Sequence, residues 1–505
     1  MAHSLHQLSS KNLSIIFAVW GMTVFPARAD EKPLEVGIAQ VEITPPLGFP
    51  MAGYYHERLA TGTLDPLWAK AIVFRQGEVQ AGWVACDLTG VSIDLSTEVR
   101  RRVAERTGIP AAHLVVSATH SHTAPDYTKS LYQHLGPADA IKTDRERERA
   151  AAAGRLVEGI VTALTQAHAN LAPATLMAGS VQQQTPVSFS RRFVMRDGSV
   201  QTWVGLKHPQ AIRAANPIDP EIGLVKVLRT ADDQPVGLLS NFALHLDTLG
   251  GSQWSGDYPS VIAETVRSKA LPTAISLFGT GCCGDINHAN PLGEPRLKTQ
   301  EIGESLGTTI VSGLDSLTAI PGSPLQVRTE IVQLLLQEAS PADIRQSLEL
   351  VRSAQAGNKL EFFAHVTAYK RLVLDRLLHK EPVVDAADAI SLGLTHVWGG
   401  IGETIPAEVT VISVGPDLAM VFLPGEVFVD LGMAIKKASP FRTTLVVELA
   451  NAVETIYIPH RQAYAGGGYE VTNSLVQPGS GEMLVEAAVR LLRQSATQNV
   501  QQAAQ

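Results

Sequence analysis

Two histidines, His120 and His122, stand two residues apart at the end of the apolar run Leu114-Val-Val116, within Ser117-Ala-Thr-His-Ser-His122. Alternation along a strand would turn both imidazoles to one face. Neutral imidazole is a common metal ligand near pH 7 and also a general acid or base, so the pair fits metal binding or acid–base work. Pro125 closes the segment by removing the next ladder donor. Three more apolar stretches carry polar residues of the right kind: His245 in Asn241-Phe-Ala-Leu-His245, Glu426 in Phe422-Leu-Pro-Gly-Glu426, and Tyr457 in residues 451–459. A polar group at the end of an apolar run must be solvated, hydrogen-bonded or coordinated. Two His, a carboxylate and a further oxygen donor, with one position open, suit a catalytic zinc. Taken singly, each also fits a structural part: His245 as a hydrogen-bonded core histidine, Glu426 as an acid in a first helical turn, Tyr457 as a packing aromatic. The sequence holds no His-Glu-x-x-His, no Gly-x-Ser-x-Gly and no Gly-x-x-x-x-Gly-Lys. Gly279-Thr-Gly-Cys-Cys-Gly-Asp285 reads as a tight loop that brings backbone amides or Cys283 close to a substrate.

The elements that must carry these residues alternate between strand and helix. Strand patterns run over 35–44, 69–74 and 82–88. A helix follows with Ser96 as cap, Leu95, Val99 and Val103 on one face, and Gly108 and Pro110 as the stop. With the His120 strand this is a βαβ signature. Residues 144–168 read as an amphipathic helix, 223–228, 236–244 and 273–278 as strands, and Ile302, Leu306 and Ile310 as one helix face. Residues 341–392 read as a mostly helical insertion, a hairpin of two amphipathic helices that either packs or lies over the site. Strands return at 407–414, 419–423 and 444–448, a helix closes the chain at 482–493, and the Gln/Ala tail at 496–505 is expected to be disordered. The fold class is α/β: a mixed β-sheet core flanked by helices, in one large domain over 30–495.

Bulk properties narrow the function classes. Among 505 residues the formal charge is −8, and a mildly acidic chain without a long basic run argues against nucleic acid as a partner. Residues 1–29 read as a secretory signal: Lys11, an apolar run over 13–25, and Ala27-Arg28-Ala29 as the cleavage site. Lys11 and Arg28 are the only charged residues in that leader, so its removal takes the charge from −8 to −8 − 2 = −10. The mature protein is expected to be exported, periplasmic or secreted. Three cysteines, Cys86, Cys282 and Cys283, make no disulfide framework and no Cys-x-x-Cys knuckle.

Taken in order, several blocks resemble the neutral/alkaline (non-lysosomal) ceramidase family, specifically its catalytic domain. They are Gly37-Ile-Ala-Gln-Val-Glu-Ile-Thr-Pro-Pro46 with Ala52-Gly-Tyr54, Ser117-Ala-Thr-His-Ser-His122, Ala243-Leu-His245, Ser255-Gly-Asp257, Gly284-Asp285, Leu423-Pro-Gly-Glu426, and the series Tyr457, Tyr464, Tyr469-Glu470. The resemblance implies a single zinc held by His120, His245, Glu426 and Tyr457, with His122, Arg191 and Tyr469 around the attacked carbonyl of an N-acyl sphingoid base. Arg192 is the adjacent alternative to Arg191. The implied partner is a small-molecule or lipid N-acyl substrate, met with transient contact at a membrane surface. Two departures from the family follow: Cys283 stands where the family has an essential serine, and no β-sandwich domain is expected after the last block. The expected activity is zinc-dependent amide hydrolysis of ceramide or another N-acyl compound. Its rivals are a Cys283-dependent acyl hydrolase or transferase with structural zinc, and a non-catalytic exported metal-binding protein.

Overall fold

Apolar residues at alternate positions, broken by short polar turns, start the chain as an antiparallel meander. The computed structural model describes residues 32–293, 296–391 and 396–503, with the side chains of 500–503 left aside. The leader read at 1–29 lies outside the described residues. Strands β1 (Glu35–Glu42), β2 (Trp68–Gln76) and β3 (Val79–Cys86) pair antiparallel. Helix α1 (Ile93–Thr107) then crosses to β4 (Leu114–Ala118), which is parallel to β3 and completes the βαβ unit. The helix is capped by Ser92, whose hydroxyl accepts from Leu95 N, and not by Ser96. Leu95 is needed on the buried face with Val99 and Val103, so the cap lies one turn earlier, and the Ser96 hydroxyl is spent on Ile93 O and Asn451 O.

Further along come α2 (Asp144–Ala169), β5 (Ala172–Gln182), β6 (Glu221–Arg229), β7 (Gln234–Phe242), α3 (Tyr258–Lys269), β8 (Ile275–Thr280) and α4 (Thr299–Gly313). The first sheet has the order β8-β7-β6-β5-β1-β2-β3-β4, with the short strand Thr318–Ala319 paired on β5. It is mixed: β7–β8 and β3–β4 are parallel and the other pairs antiparallel.

A second sheet begins with β9 (Leu325–Leu335). Helices α5 (Pro341–Gln355) and α6 (Phe362–Leu378) intervene before β10 (Thr404–Val414), which returns to pair with β9 along its whole length. Then come β11 (Leu418–Phe422), β12 (Glu426–Val427), α7 (Val429–Ala438), β13 (Thr443–Val447), β14 (Tyr457–Ile458), α8 (Tyr469–Asn473) and α9 (Ser480–Ala503). The sheet order is β9-β10-β11-β13.

The two sheets pack face to face. Ile72, Phe74, Trp83 and Leu239 from the first share one core with Ile412, Met420, Phe422 and Leu445 from the second. Trp83 meets Phe422 edge-on at 5.3 Å, and its indole N–H donates to Ser117 Oγ, so this buried ring leaves no unpaired donor. Helices cover the outer faces: α1 and α2 on one part of the first sheet, α3 and α4 on the other, and α5, α6, α7 and α9 on the second. The result is a layered α/β architecture, a mixed sheet core flanked by helices. One expectation fails at the C-terminus. Residues 496–503 continue α9 instead of fraying, because Ser495 and Asn499 still face the second sheet: Gln326 Nε2 donates to Ser495 O at 3.2 Å and Asn499 Nδ2 to Gly415 O at 2.8 Å.

Candidate active site

His120 and His122 converge, but by a different route from strand alternation. β4 ends at Ala118, and His120 lies in the turn beyond it with φ +77°, a left-handed conformation uncommon for a side chain with a Cβ. The turn is fixed by His120 N to Leu88 O (2.8 Å) and His122 N to Leu246 O (3.0 Å). The two rings stand perpendicular with centroids 5.0 Å apart. Gly53, at φ +95°, backs directly onto His122; a Cβ there would lie 2.8 Å from the ring. His245 arrives from the far end of the sheet, three residues past β7. The sheet curls so that Thr280 Oγ1 on β8 donates to Thr119 O beyond β4, and His245 then sits with Nε2 3.0 Å from His120 Nε2. The three histidines offer nitrogens all within 4.8 Å of one another, and His120 and His245 are buried. This trio could hold a metal ion.

Glu426 and Tyr457 come from the second sheet's loops. A two-residue parallel ladder pairs Glu426 with Tyr457 and Val427 with Ile458, so carboxylate and phenol emerge side by side. Glu426 Oε2 lies 3.4 Å from His120 Nε2 and 3.4 Å from His245 Nε2. Burial raises this carboxyl, and only a proton carried toward it by His120 and His245 would outweigh that and hold Glu426 below the usual carboxylate range. Burial, with Glu426 beside it, pushes the Tyr457 phenol up.

The ring nitrogens on the other side decide what these atoms can bind. His120 Nδ1 faces Thr89 O and His245 Nδ1 faces Cys283 O at 2.9 Å. Each Nδ1 must therefore carry its proton, and both Nε2 lone pairs point inward toward an anionic oxygen that has no hydrogen-bond partner. Two lone pairs 3.0 Å apart and an unpartnered carboxylate repel unless a cation lies among them. Four ligands placed about 2.1 Å from a tetrahedral ion would stand roughly 3.4 Å from each other. The triangle of 3.0, 3.4 and 3.4 Å fits that spacing. His245 is held neutral, its pKa lowered to about 3 by burial and then by Arg191. His122 is likewise lowered to about 3, by burial and then by His120, and both its nitrogens are buried without a partner. It is thus a neutral base facing the same space, with Asp247 3.8 Å from its Nδ1.

Of the two adjacent arginines, Arg191 reaches the histidines. Its Nη1 lies 3.2 Å from His245 Nε2, its Nη2 donates to Gly284 O at 2.6 Å, and its Nε donates to Glu470 Oε1 at 2.8 Å. Arg192 turns the other way, donating to Glu470 Oε2 at 2.7 Å and to Gly467 O at 2.9 Å. Glu470, which the sequence reading leaves without a role, thereby binds both arginines while its neighbour Tyr469 faces the site. The Tyr469 ring is 5.5 Å from Tyr457, and burial raises its phenol. The sequence signal for Glu470 is its place after Tyr469 in the last block of the resemblance, which carries no role for it.

Cys283 lies behind His245, not in front of it. Its thiol donates to Glu448 Oε1 at 3.0 Å, is fully buried, and is pushed well up by burial and by Glu448. A protonated thiol facing away from the open space does not suit a nucleophile. Cys86 and Cys282 are also free and buried. A cavity of about 1130 Å³ is lined by Tyr54 and Asp247, the two residues beside His122, and by His288 and Lys298.

Residues 34–258 match the family described as neutral/alkaline non-lysosomal ceramidase, N-terminal. Among solved structures, the neutral ceramidase from Pseudomonas aeruginosa is similar over 92% of this chain and 75% of its own, at TM-score 0.65 and 18% identity. A structure described as ceramidase complexed with C2 is similar over 92% and 76%, at TM-score 0.64 and 18% identity. No curated protein sequence matches the chain.

Proposed function

We propose, from the premise that this chain belongs to the neutral/alkaline non-lysosomal ceramidase family through residues 34–258, that it is a zinc-dependent hydrolase of the N-acyl amide bond of ceramide or a related N-acyl compound. The observation that carries the metal part is the inward-facing group of His120 Nε2, His245 Nε2 and the unpartnered Glu426 Oε2. With Tyr457 beside Glu426, these four residues would hold the ion. Glu426 is preferred over His122 as the third ligand because its oxygen lies equally close to both other atoms, whereas His122 keeps two unpartnered nitrogens free for a substrate. When bound, zinc polarises a carbonyl and lowers the pKa of a coordinated water to about 7.

The remaining groups have parts of their own. His122, neutral and with both nitrogens unpartnered, accepts the proton of the attacking water and returns it to the departing amine. Arg191 carries a fixed positive charge on a guanidinium immobilised by Glu470 and Gly284 O, which suits the oxygen of the attacked carbonyl as negative charge develops on it. Tyr469 supplies a neutral phenol donor on the same side. Read with residues 1–29 as a leader, the enzyme would act outside the cytoplasm on a lipid substrate.

The test is fatty-acid release from detergent-solubilised ceramide, before chelation, after chelation and after zinc is restored, together with zinc content per chain. The expected outcome is zinc-dependent release, and loss of both bound zinc and release in His120→Ala and Glu426→Ala while the folded circular dichroism spectrum persists. Release that survives complete removal of metal would refute the reading.

A further inference from the structure

Tyr54 and Tyr55 are neighbours in the chain and diverge beside His122. Tyr55 turns its hydroxyl to Tyr469, against whose ring Trp203 and Phe362 also pack. Tyr54 turns the other way and donates to Asp247 Oδ1 at 2.6 Å. Its ring meets His122 edge-on at 5.9 Å, and Asp247 lies 3.8 Å from His122 Nδ1. Past Tyr54 and Asp247 opens the cavity of about 1130 Å³, walled by α3 and the start of α4; none of the rings around Tyr469 lines it. The proposed chemistry leaves this space without a use.

The charges on its wall are unevenly committed. Asp65 accepts from Ser255 Oγ, Gly256 N and Ser260 Oγ. Glu264 pairs with Arg267 at 2.7 Å, and Glu304 accepts from Gln300 Nε2 at 2.7 Å. Asp257, held at φ +59°, accepts from the backbone N–H groups of Thr248 at 3.1 Å and Leu249 at 3.2 Å. That fixes the turn carrying Asp247 before any ligand arrives, and gives the Ser255-Gly-Asp257 block a part. Asp247 itself is 39% exposed, and among the described residues its one hydrogen bond is the one from Tyr54. The cations are open too. Among the described residues Arg296 and Lys298 make no ion pair, and Lys269 reaches the Thr308 hydroxyl at 3.0 Å. His288 is 6% exposed, with Nδ1 buried and unpartnered, a state that costs free energy until a ligand completes it. Its pKa is lowered to about 4, by burial and then by Arg296, against the pull of Asp247, so this neutral ring stands within electrostatic reach of both charges. The wall thus carries one open carboxylate beside His122 and open cations beyond it.

We infer that this cavity binds an anionic group tethered a few atoms from the amide nitrogen, so that the enzyme prefers N-acyl derivatives of amino acids or of aminoalkyl sulfonates and phosphates to neutral N-acyl amines. Hydrolysis breaks the C–N bond, adds the oxygen of water to the acyl carbon and leaves both water protons on nitrogen. The products are a carboxylate and an ammonium. The ammonium forms beside Asp247 while the tethered anion rests against Arg296 and Lys298, so the two charges of the amine product meet two opposite charges on the wall. A neutral amine half offers these cations nothing.

This inference rests on the amide-hydrolase reading, and the two fail separately. In the kinetic arm, kcat/KM is measured below the micelle concentration for dodecanoyl amides of ethanolamine, β-alanine, taurine and phosphoethanolamine. At least one anionic amide should exceed the ethanolamide by about tenfold or more, and the one that leads identifies carboxylate, sulfonate or phosphate. Arg296 and Lys298 are exposed, so the double variant Arg296→Gln, Lys298→Gln should fold as wild type does. In it the ratio should fall by about fivefold or more, through KM more than kcat, and added salt should lower the wild-type ratio in the same direction. A wild-type ratio under about twofold, or one the double variant leaves unchanged, overturns the site. In the binding arm, which needs no turnover, ethanolamine, β-alanine, taurine and phosphoethanolamine are titrated calorimetrically. One anionic amine should bind about tenfold tighter than ethanolamine and lose that advantage in the double variant. Asp247→Asn should weaken the same amine but not its counterpart without nitrogen: propionate, ethanesulfonate or ethyl phosphate. No anionic amine tighter than ethanolamine overturns the inference even if amides are cleaved. Tighter binding without cleavage of any amide keeps the site and removes the proposed reaction.

Discussion

Replacing Glu470 probes how Arg191, proposed to face the developing oxyanion, is held. The side chain is fully buried and accepts from Arg191 Nε at 2.8 Å, Arg192 Nη1 at 2.7 Å and Thr202 Oγ1 at 2.9 Å, while the two arginines are 4% and 2% exposed. In Glu470→Ala both guanidinium groups stay buried without a carboxylate acceptor, keeping Gly284 O and His245 Nε2 for Arg191, and Gly467 O with Ala463 O for Arg192. Attraction to a shared anion is replaced by repulsion between two cations. Breaking a buried ion pair from one side costs about 3–5 kcal/mol. Over the roughly 470 residues from Pro33 to Gln505, an unfolding entropy near 2.1 cal/mol/K per residue gives about 1 kcal/mol/K, so the melting temperature should fall by about 3–5 °C. Glu470→Gln keeps the shape and one acceptor and should fall about half as far. The assay is calorimetric melting of the three proteins at one pH, paired with hydrolysis rates well below the melting range. Loss of an oriented oxyanion donor predicts a rate lower by about a hundredfold in Glu470→Ala. A melting temperature within 1 °C of wild type together with an undiminished rate would refute the claim that Glu470 organises Arg191.

Two further outcomes follow from buried acids and thiols. Burial raises the Glu454 carboxyl from 4.5 to about 8, so the folded chain keeps a proton that the unfolded chain has lost. Its stabilising contribution is complete below pH 4.5 and disappears as pH rises through 8, so the non-ionising Glu454→Gln should gain on wild type across that window. The gain should reach roughly 3–5 kcal/mol at pH 8 and vanish below 4.5; a difference in melting temperature that stays constant from pH 4.5 to 8 would sink this. Cys283→Ser retains a donor for Glu448 and should keep activity within a few-fold, and iodoacetamide should leave native Cys283 unmodified. A hundredfold loss in a folded, metal-loaded Cys283→Ser protein would restore the thiol as nucleophile.

The parts of the fold that depend on local pattern were legible from sequence. Spacing alone gave the βαβ unit around α1, the long helix read at 144–168, which the structure ends at Ala169, and the two helices α5 and α6. What spacing could not give is where distant segments meet. Nothing in the sequence says that β8 curls onto the end of β4 or that a second sheet packs across Trp83, because those contacts are decided by tertiary burial. The histidine pair was found for a reason that does not hold, since a left-handed turn and not a pleat aims both rings. Arg191 and Arg192 are equivalent by pattern and are separated only by which oxygen of Glu470 each one takes. Trp203 gave no signal at all, standing in a polar turn whose strained backbone is visible only in three dimensions.

The two-residue ladder that sets Glu426 beside Tyr457 has a consequence for how the molecule comes apart. Inward-facing groups on the loops of the first sheet meet groups carried by the second, and β12 and β14 are too short to persist without the sheets behind them. The set of His120, His245, Glu426 and Tyr457 is complete only when both halves of the sandwich are in place. Any species bound jointly by His120, His245 and Glu426 therefore binds only the complete native state, so its binding energy adds to global stability as the logarithm of its concentration. It would be released with the cooperative melting of the whole chain and not by local fraying. Occupancy of this site would thus report that the two sheets are assembled.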